Sequence, residues 1–153
     1  ENPILLNYQT LAQSNCWVTI SYNRLFGSFF LSASNGIATP AAKMTELKLF
    51  LDAVTLRRLP QLELDPSDNA LWTMEQIELT DTELQESEIA AAFNRVCKVI
   101  DDSSVPILLM IYGGLTVEEA ISAYEKARAV SLADWRSSIS PWPNQDIEQV
   151  ICH

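Results

Sequence analysis

Apolar side chains recur at helical period in four separate stretches of this 153-residue chain, and a stripe of that kind has to be covered by another. The best bounded stretch lies between Pro40 and Pro60. Thr39-Pro40 opens a helix, because a proline at the first helical position lacks only an N–H that would find no partner there. Met44, Leu47, Leu51 and Val54 then share one face, Thr45, Glu46 and Asp52 lie off it, and Pro60 ends the run. From Trp17 to Leu31, the residues Tyr22, Leu25, Phe26, Phe29 and Phe30 give a first helix, stopped by Ser34-Asn35-Gly36.

Two further helices carry start signals. Thr80 with Glu83, and Thr116 with Glu119, form the capping-box pattern, in which hydroxyl and carboxylate each take up an orphan N–H. Ile89, Phe93, Val96 and Ile100 make the third stripe, and Val117, Ile121, Tyr124 and Ala127 the fourth. Between the helices, Leu62-Glu63-Leu64-Asp65 alternates like a short strand, and Pro66-Ser67-Asp68-Asn69 is a turn. Leu71 to Leu79 fits helix or strand. Val105 to Tyr112, closed by Gly113-Gly114, fits a buried strand or a helical turn. Pro141 and Pro143 break the tail, and Ile147 to Cys152 could add a last helical turn. There is no repeat or linker. The expectation is therefore one domain over residues 1–153, an all-α four-helix bundle with a short extended connector. If Leu62–Leu64, Leu71–Leu79 and Val105–Tyr112 are all strands, the class becomes α+β instead.

Charge narrows the function. Twenty acidic against ten basic residues give a net charge of −10. A free nucleic-acid binder that relies on overall positive charge is not expected, although a local basic site inside an assembly stays open. No apolar run reaches membrane-spanning length, and the start of the chain has no signal-peptide pattern. Cys16, Cys97 and Cys152 are odd in number and far apart, which suits free thiols in a reducing compartment. The single histidine, His153, removes most His-based catalysis and most zinc sites.

Asn15-Cys16-Trp17 is the sharpest local string. A cysteine followed by tryptophan at a helix start resembles the nucleophile of papain-like cysteine proteases, including viral ones, where a helix N-terminus and a histidine lower the thiol pKa. Only His153 could be the base, so Cys16 reads more simply as a buried residue. The acidic residues Glu83, Glu86, Glu88, Glu118 and Glu119 read as helix N-terminal complements. No calcium loop, phosphate loop or nucleophile elbow is present.

Taken in order, several pieces resemble the coat proteins of rod-shaped tobamoviruses. They are Trp17 before the first helix and Ser34-Asn35-Gly36-Ile37-Ala38-Thr39-Pro40-Ala41-Ala42-Lys43 at the passage to the second. Pro60-Gln61 with Leu62-Glu63-Leu64 and Pro66-Ser67-Asp68 matches the connector. Ala91-Ala92-Phe93-Asn94-Arg95 through Lys98 is similar to the end of the third helix, and Thr116-Val117-Glu118-Glu119-Ala120-Ile121 to the entry of the fourth. The resemblance implies a capsid protein that polymerises into a helical rod around single-stranded RNA, in the virion and, during assembly, the host cytoplasm. It implies phosphate contacts from Lys43, Arg95 and Lys98. It also implies carboxylate pairs between subunits, Asp52 with Glu83 and Asp101 with Glu118 or Glu119, that share a proton and so control assembly. On this reading the chain is not an enzyme and needs no metal, cofactor, membrane or small-molecule substrate. A viral papain-like protease fragment using Cys16 is one alternative. An acidic helical module that works only through protein contacts is the other.

Overall fold

The stretch expected as the first helix is a β-hairpin. In the computed structural model, which describes residues 4–9, 15–23, 25, 27–78 and 86–138, β1 (Ile4–Gln9), β2 (Asn15–Asn23) and β3 (Ser28–Asn35) form an antiparallel meander. The local chemistry favours this. Cys16, Val18 and Ile20 are buried while Trp17, Thr19 and Ser21 are not, so burial follows period two. Val18, Thr19 and Ile20 are β-branched, and Phe29 and Phe30 suit a pleated surface. At the turn the Leu25 N–H donates to Asn23 Oδ1 at 3.0 Å, and Gly27 takes a left-handed φ of 58°. Of the aromatic residues that mimic a helical stripe, Tyr22 lies on β2 and Phe29 and Phe30 on β3, and Tyr22 and Phe29 are cross-strand partners with rings 4.9 Å apart; Phe26 lies outside the described residues.

A single 3-10 turn over Ala41–Lys43 follows Pro40 and leads into α1 (Met44–Leu56). Leu47 and Val54 of its expected stripe are buried, as is Phe50, and Met44 and Leu51 pack against the core. Then come β4 (Glu63–Leu64), β5 (Leu71–Glu78), α2 (Glu86–Tyr112), α3 (Val117–Ala129) and α4 (Leu132–Ser138). The fold is thus an α+β arrangement, one antiparallel sheet with helices over its inner face, which overturns the all-α four-helix bundle. It also departs from the condition set for that alternative. Leu62–Leu64 and Leu71–Leu79 do supply strands, but Val105–Tyr112 continues α2 through Pro106. The capping box expected at Thr80 and Glu83, and the turn expected at Ile147–Cys152, lie outside the described residues.

The sheet has the order β1-β2-β3-β5-β4, with every neighbour antiparallel. Its inner face carries the rows Val18–Ala33–Thr73 and Ile20–Leu31–Glu75. α2 lies over these rows with Ile89, Phe93, Val96 and Ile100 buried, and α1 and α3 pack behind it. The outer face carries the row Trp17–Ser34–Trp72, and Trp17 and Met74 stay exposed there.

At α3 the sequence signal holds in detail. Glu119 N–H donates to Thr116 Oγ1 at 3.2 Å, and Thr116 N–H donates back to Glu119 Oε2 at 2.8 Å. Thr116→Ala is expected to lower stability by about 1 kcal/mol in urea unfolding, without changing the fold by circular dichroism. The donated N–H and hydroxyl of Thr116 hold the Glu119 carboxyl below its ordinary pKa. Its contribution is therefore present above the ordinary glutamate range and is lost as pH falls through the lowered value.

Candidate functional site

Pro60 determines where the sheet stops. A longer β4 would place Gln61 and Pro60 opposite Met74 and Glu75. Proline lacks the N–H a ladder needs, and the chain instead turns inward at this point. The Pro60 carbonyl accepts from Tyr124 Oη at 3.3 Å, and the Gln61 carbonyl accepts from Thr73 Oγ1 at 2.8 Å. β4 consequently pairs only Glu63 with Trp72 and Leu64 with Leu71, while β5 runs on to Glu78. Among the described residues nothing pairs with this edge of β5 beyond Trp72. The Ala70 carbonyl accepts from Asp65 N–H on the β4 side. Main-chain groups alternate along an antiparallel strand, so the amides of Met74 and Gln76 face the same, open side.

A groove follows this edge, between β5 and the side of α2. Where β4 ends it opens into a cavity of about 330 Å³ whose lining includes the apolar Pro60, Trp72, Met74, Val96 and Val99 and the charged Glu63 and Arg128. Further along, beside Ile77, a more open hollow is lined by Glu75, Glu78, Glu88, Ser87 and Ala91. Arg95 and Glu75 line both. Arg95 Nε lies 3.0 Å from each Glu75 carboxylate oxygen, and its NH2 group closes a second contact, so the pair bridges the groove from α2 to β5. The Glu75 carboxylate raises the Arg95 pKa further. Among the described residues Glu78 and Glu88 have no such ion pair.

The residues expected to bind RNA do not form one cationic surface. Lys43 pairs with Glu46 at 2.9 Å, Arg95 with Glu75, and Lys98 with Asp102 at 2.6 Å. Lys98 is only 4% exposed, and its ammonium also donates to the Ala127 carbonyl at 3.2 Å, so it sits inside the protein beneath α3. Arg128 reaches the same Asp102 oxygen at 3.1 Å. Burial holds the Asp102 pKa above its ordinary value despite the two cations.

The carboxylates expected to pair between subunits lie at separate places on the single chain, as far as they are among the described residues. Asp52 is exposed on α1, and Glu83 lies outside the described residues. Asp101 is buried and accepts from Trp135 Nε1 at 3.0 Å. Glu118 holds Arg57 at 2.5 Å, and Glu119 caps α3. Cys16 lies mid-sheet on β2 rather than at a helix start. Burial, with a smaller push from Asp101, raises its thiol pKa to about 12, so at neutral pH it is a thiol and no nucleophile. Cys97 is buried and raised in the same way. No group of acidic, cysteine or histidine side chains among the described residues could hold a metal ion, and no helix among them is long and apolar enough to cross a membrane.

The open edge of β5 was not anticipated from sequence. Its signal was the mismatch between a short alternating run after Pro60 and a much longer one from Leu71. A scan against family models, a search of curated proteins and a search of solved structures each return no match to this chain.

Proposed function

We propose that this chain is a protein-binding module that takes an extended segment of a partner protein as an added strand on β5. The observation that carries this is the unequal length of β4 and β5, two residues against eight, which leaves main-chain donors and acceptors along a groove without a partner strand among the described residues. Strand addition supplies affinity from such groups, and side-chain hollows beside them supply selectivity. Edge strands are otherwise blunted or covered, because they invite pairing. Charge points to the partner's chemistry. Glu63, Glu75, Glu78 and Glu88 outnumber Arg95 and Arg128 along the groove, both arginines are already held by carboxylates, and the chain is at −10 overall. A basic segment fits this field.

This reading keeps the protein-contact alternative drawn from the sequence and drops its all-helical form. The coat-protein reading rested on the resemblance of ordered sequence pieces; the hairpin contradicts the four-helix bundle which that resemblance implied. The test is a selection from a displayed library of random peptides, with the selected peptides then titrated against three proteins. Met74→Pro removes one edge N–H at a position where proline is tolerated in sheets, and Met74→Ala removes the side chain but keeps the N–H. Selected peptides are expected to be basic, to bind wild type and Met74→Ala alike, and to lose most binding to Met74→Pro while that variant keeps its circular dichroism. Binding that is indifferent to Met74→Pro would sink the proposal. So would a failure to select any peptide together with rod formation on single-stranded RNA near pH 5, which would restore the coat reading.

A further inference from the structure

The two ends of the groove differ in chemistry, and the sheet fixes the order in which a bound segment meets them. Building on the strand-addition reading, we infer that the module selects segments in which a lysine or arginine precedes a large apolar residue on the same face. β5 is antiparallel to both its neighbours, so an added strand in the line of β4 runs antiparallel to β5 as well. Such a strand approaches Glu63 from the far end, passing Glu78 first and Met74 last. Its side chains alternate, and every second one turns toward α2.

On that inner side the first side chain comes down beside Ile77, between Glu75 and Glu88. Glu75 is committed to Arg95, whereas Glu88 on α2 is open to an incoming cation; Glu78 belongs to the outer face of β5 and adds only its field. The small residues Ser87 and Ala91 on α2 leave room for a long side chain. A later inner side chain meets the 330 Å³ cavity, whose floor is Val96 and Val99, both nearly fully buried. The two arginines that line it, Arg95 and Arg128, are turned to Glu75 and Asp102. An apolar side chain gains most at that end. The Arg95–Glu75 bridge lies between the two and keeps them distinct. Because both anchors must face α2, the basic and apolar residues are separated by one or three residues, never by two.

The experiment is a set of synthetic peptides in one Ser/Thr/Val background, titrated by fluorescence anisotropy against the full chain. Peptides with Lys before Leu at even spacing are expected to bind at least about tenfold tighter than the reversed order or the odd spacing. Glu78→Gln is expected to change the lysine preference little, and Glu88→Gln to remove most of it and leave the leucine preference intact. Raising salt from about 0.05 to 0.5 M should do the same. Equal binding of all orders and spacings, still abolished by Met74→Pro, would overturn this inference and leave strand addition standing. Absence of binding by every peptide would overturn both.

Discussion

Replacing Asp102 with alanine is expected to lower the free energy of unfolding by about 3–5 kcal/mol, read by urea denaturation. The loss comes from what remains. Lys98 is held at 2.6 Å by Asp102 and at 3.2 Å by the Ala127 carbonyl, under α3 and out of reach of water. Without the carboxylate its charge is buried with one neutral acceptor. Arg128 is less affected, since it is nearer the surface and can turn outward. Lys98→Met combined with Asp102→Leu should recover most of the loss, because exchanging both partners for apolar residues removes both desolvation costs. If the double variant is as unstable as Asp102→Ala, the pair is more than a matched buried charge. The pH dependence has a definite sign. Burial puts the folded pKa of Asp102 above its unfolded value. Its contribution is therefore fully present below the unfolded pKa and declines as pH rises through the folded one. The stability of wild type minus that of Asp102→Asn should fall over that window.

The second large effect is expected from Phe50→Ala, about 3–5 kcal/mol. Phe50 is fully buried on α1, and its ring lies 6.1 Å from that of Tyr124 on α3, so it joins two helices that both rest on α2. Deleting it leaves a cavity that the sheet side cannot fill. Leu49, next to it, is 54% exposed, and Leu49→Ala should change stability by no more than about 0.5 kcal/mol. Similar losses from the two variants would show that α1 is placed differently against α3.

These two sites show what sequence could and could not reveal. The Thr116–Glu119 cap and the stripe Ile89, Phe93, Val96 and Ile100 were legible because their information is local, within one or a few turns. Phe50 escaped because it widens a narrow stripe that already looked complete. The hairpin was hidden because Tyr22, Leu25, Phe29 and Phe30, which two strands and a turn bring in, match a helical period by accident. The β-branched run Val18-Thr19-Ile20 carried the contrary signal. Lys98 looked like a surface cation because its burial depends on α3, encoded some thirty residues later. The groove was hidden for the same reason: it needs the inward turn at Pro60, the length of β5 and the position of α2 together.

The order of elements also sets a problem of timing. The meander β1-β2-β3 is local and can pair as soon as it is made. Yet the helix that covers its inner face, α2, is not complete until Tyr112, and the strand that closes the free edge of β3, β5, not until Glu78. At ordinary rates of synthesis the wait between Asn35 and Tyr112 is roughly 4–15 s. Until Tyr112 is made Val18, Ile20, Leu31 and Ala33 face water, and until Glu78 is made they do so beside an unpaired edge. A ribosome-bound chain stopped short of Glu86 would therefore be sticky, and full-length yield should depend on what shields the nascent meander.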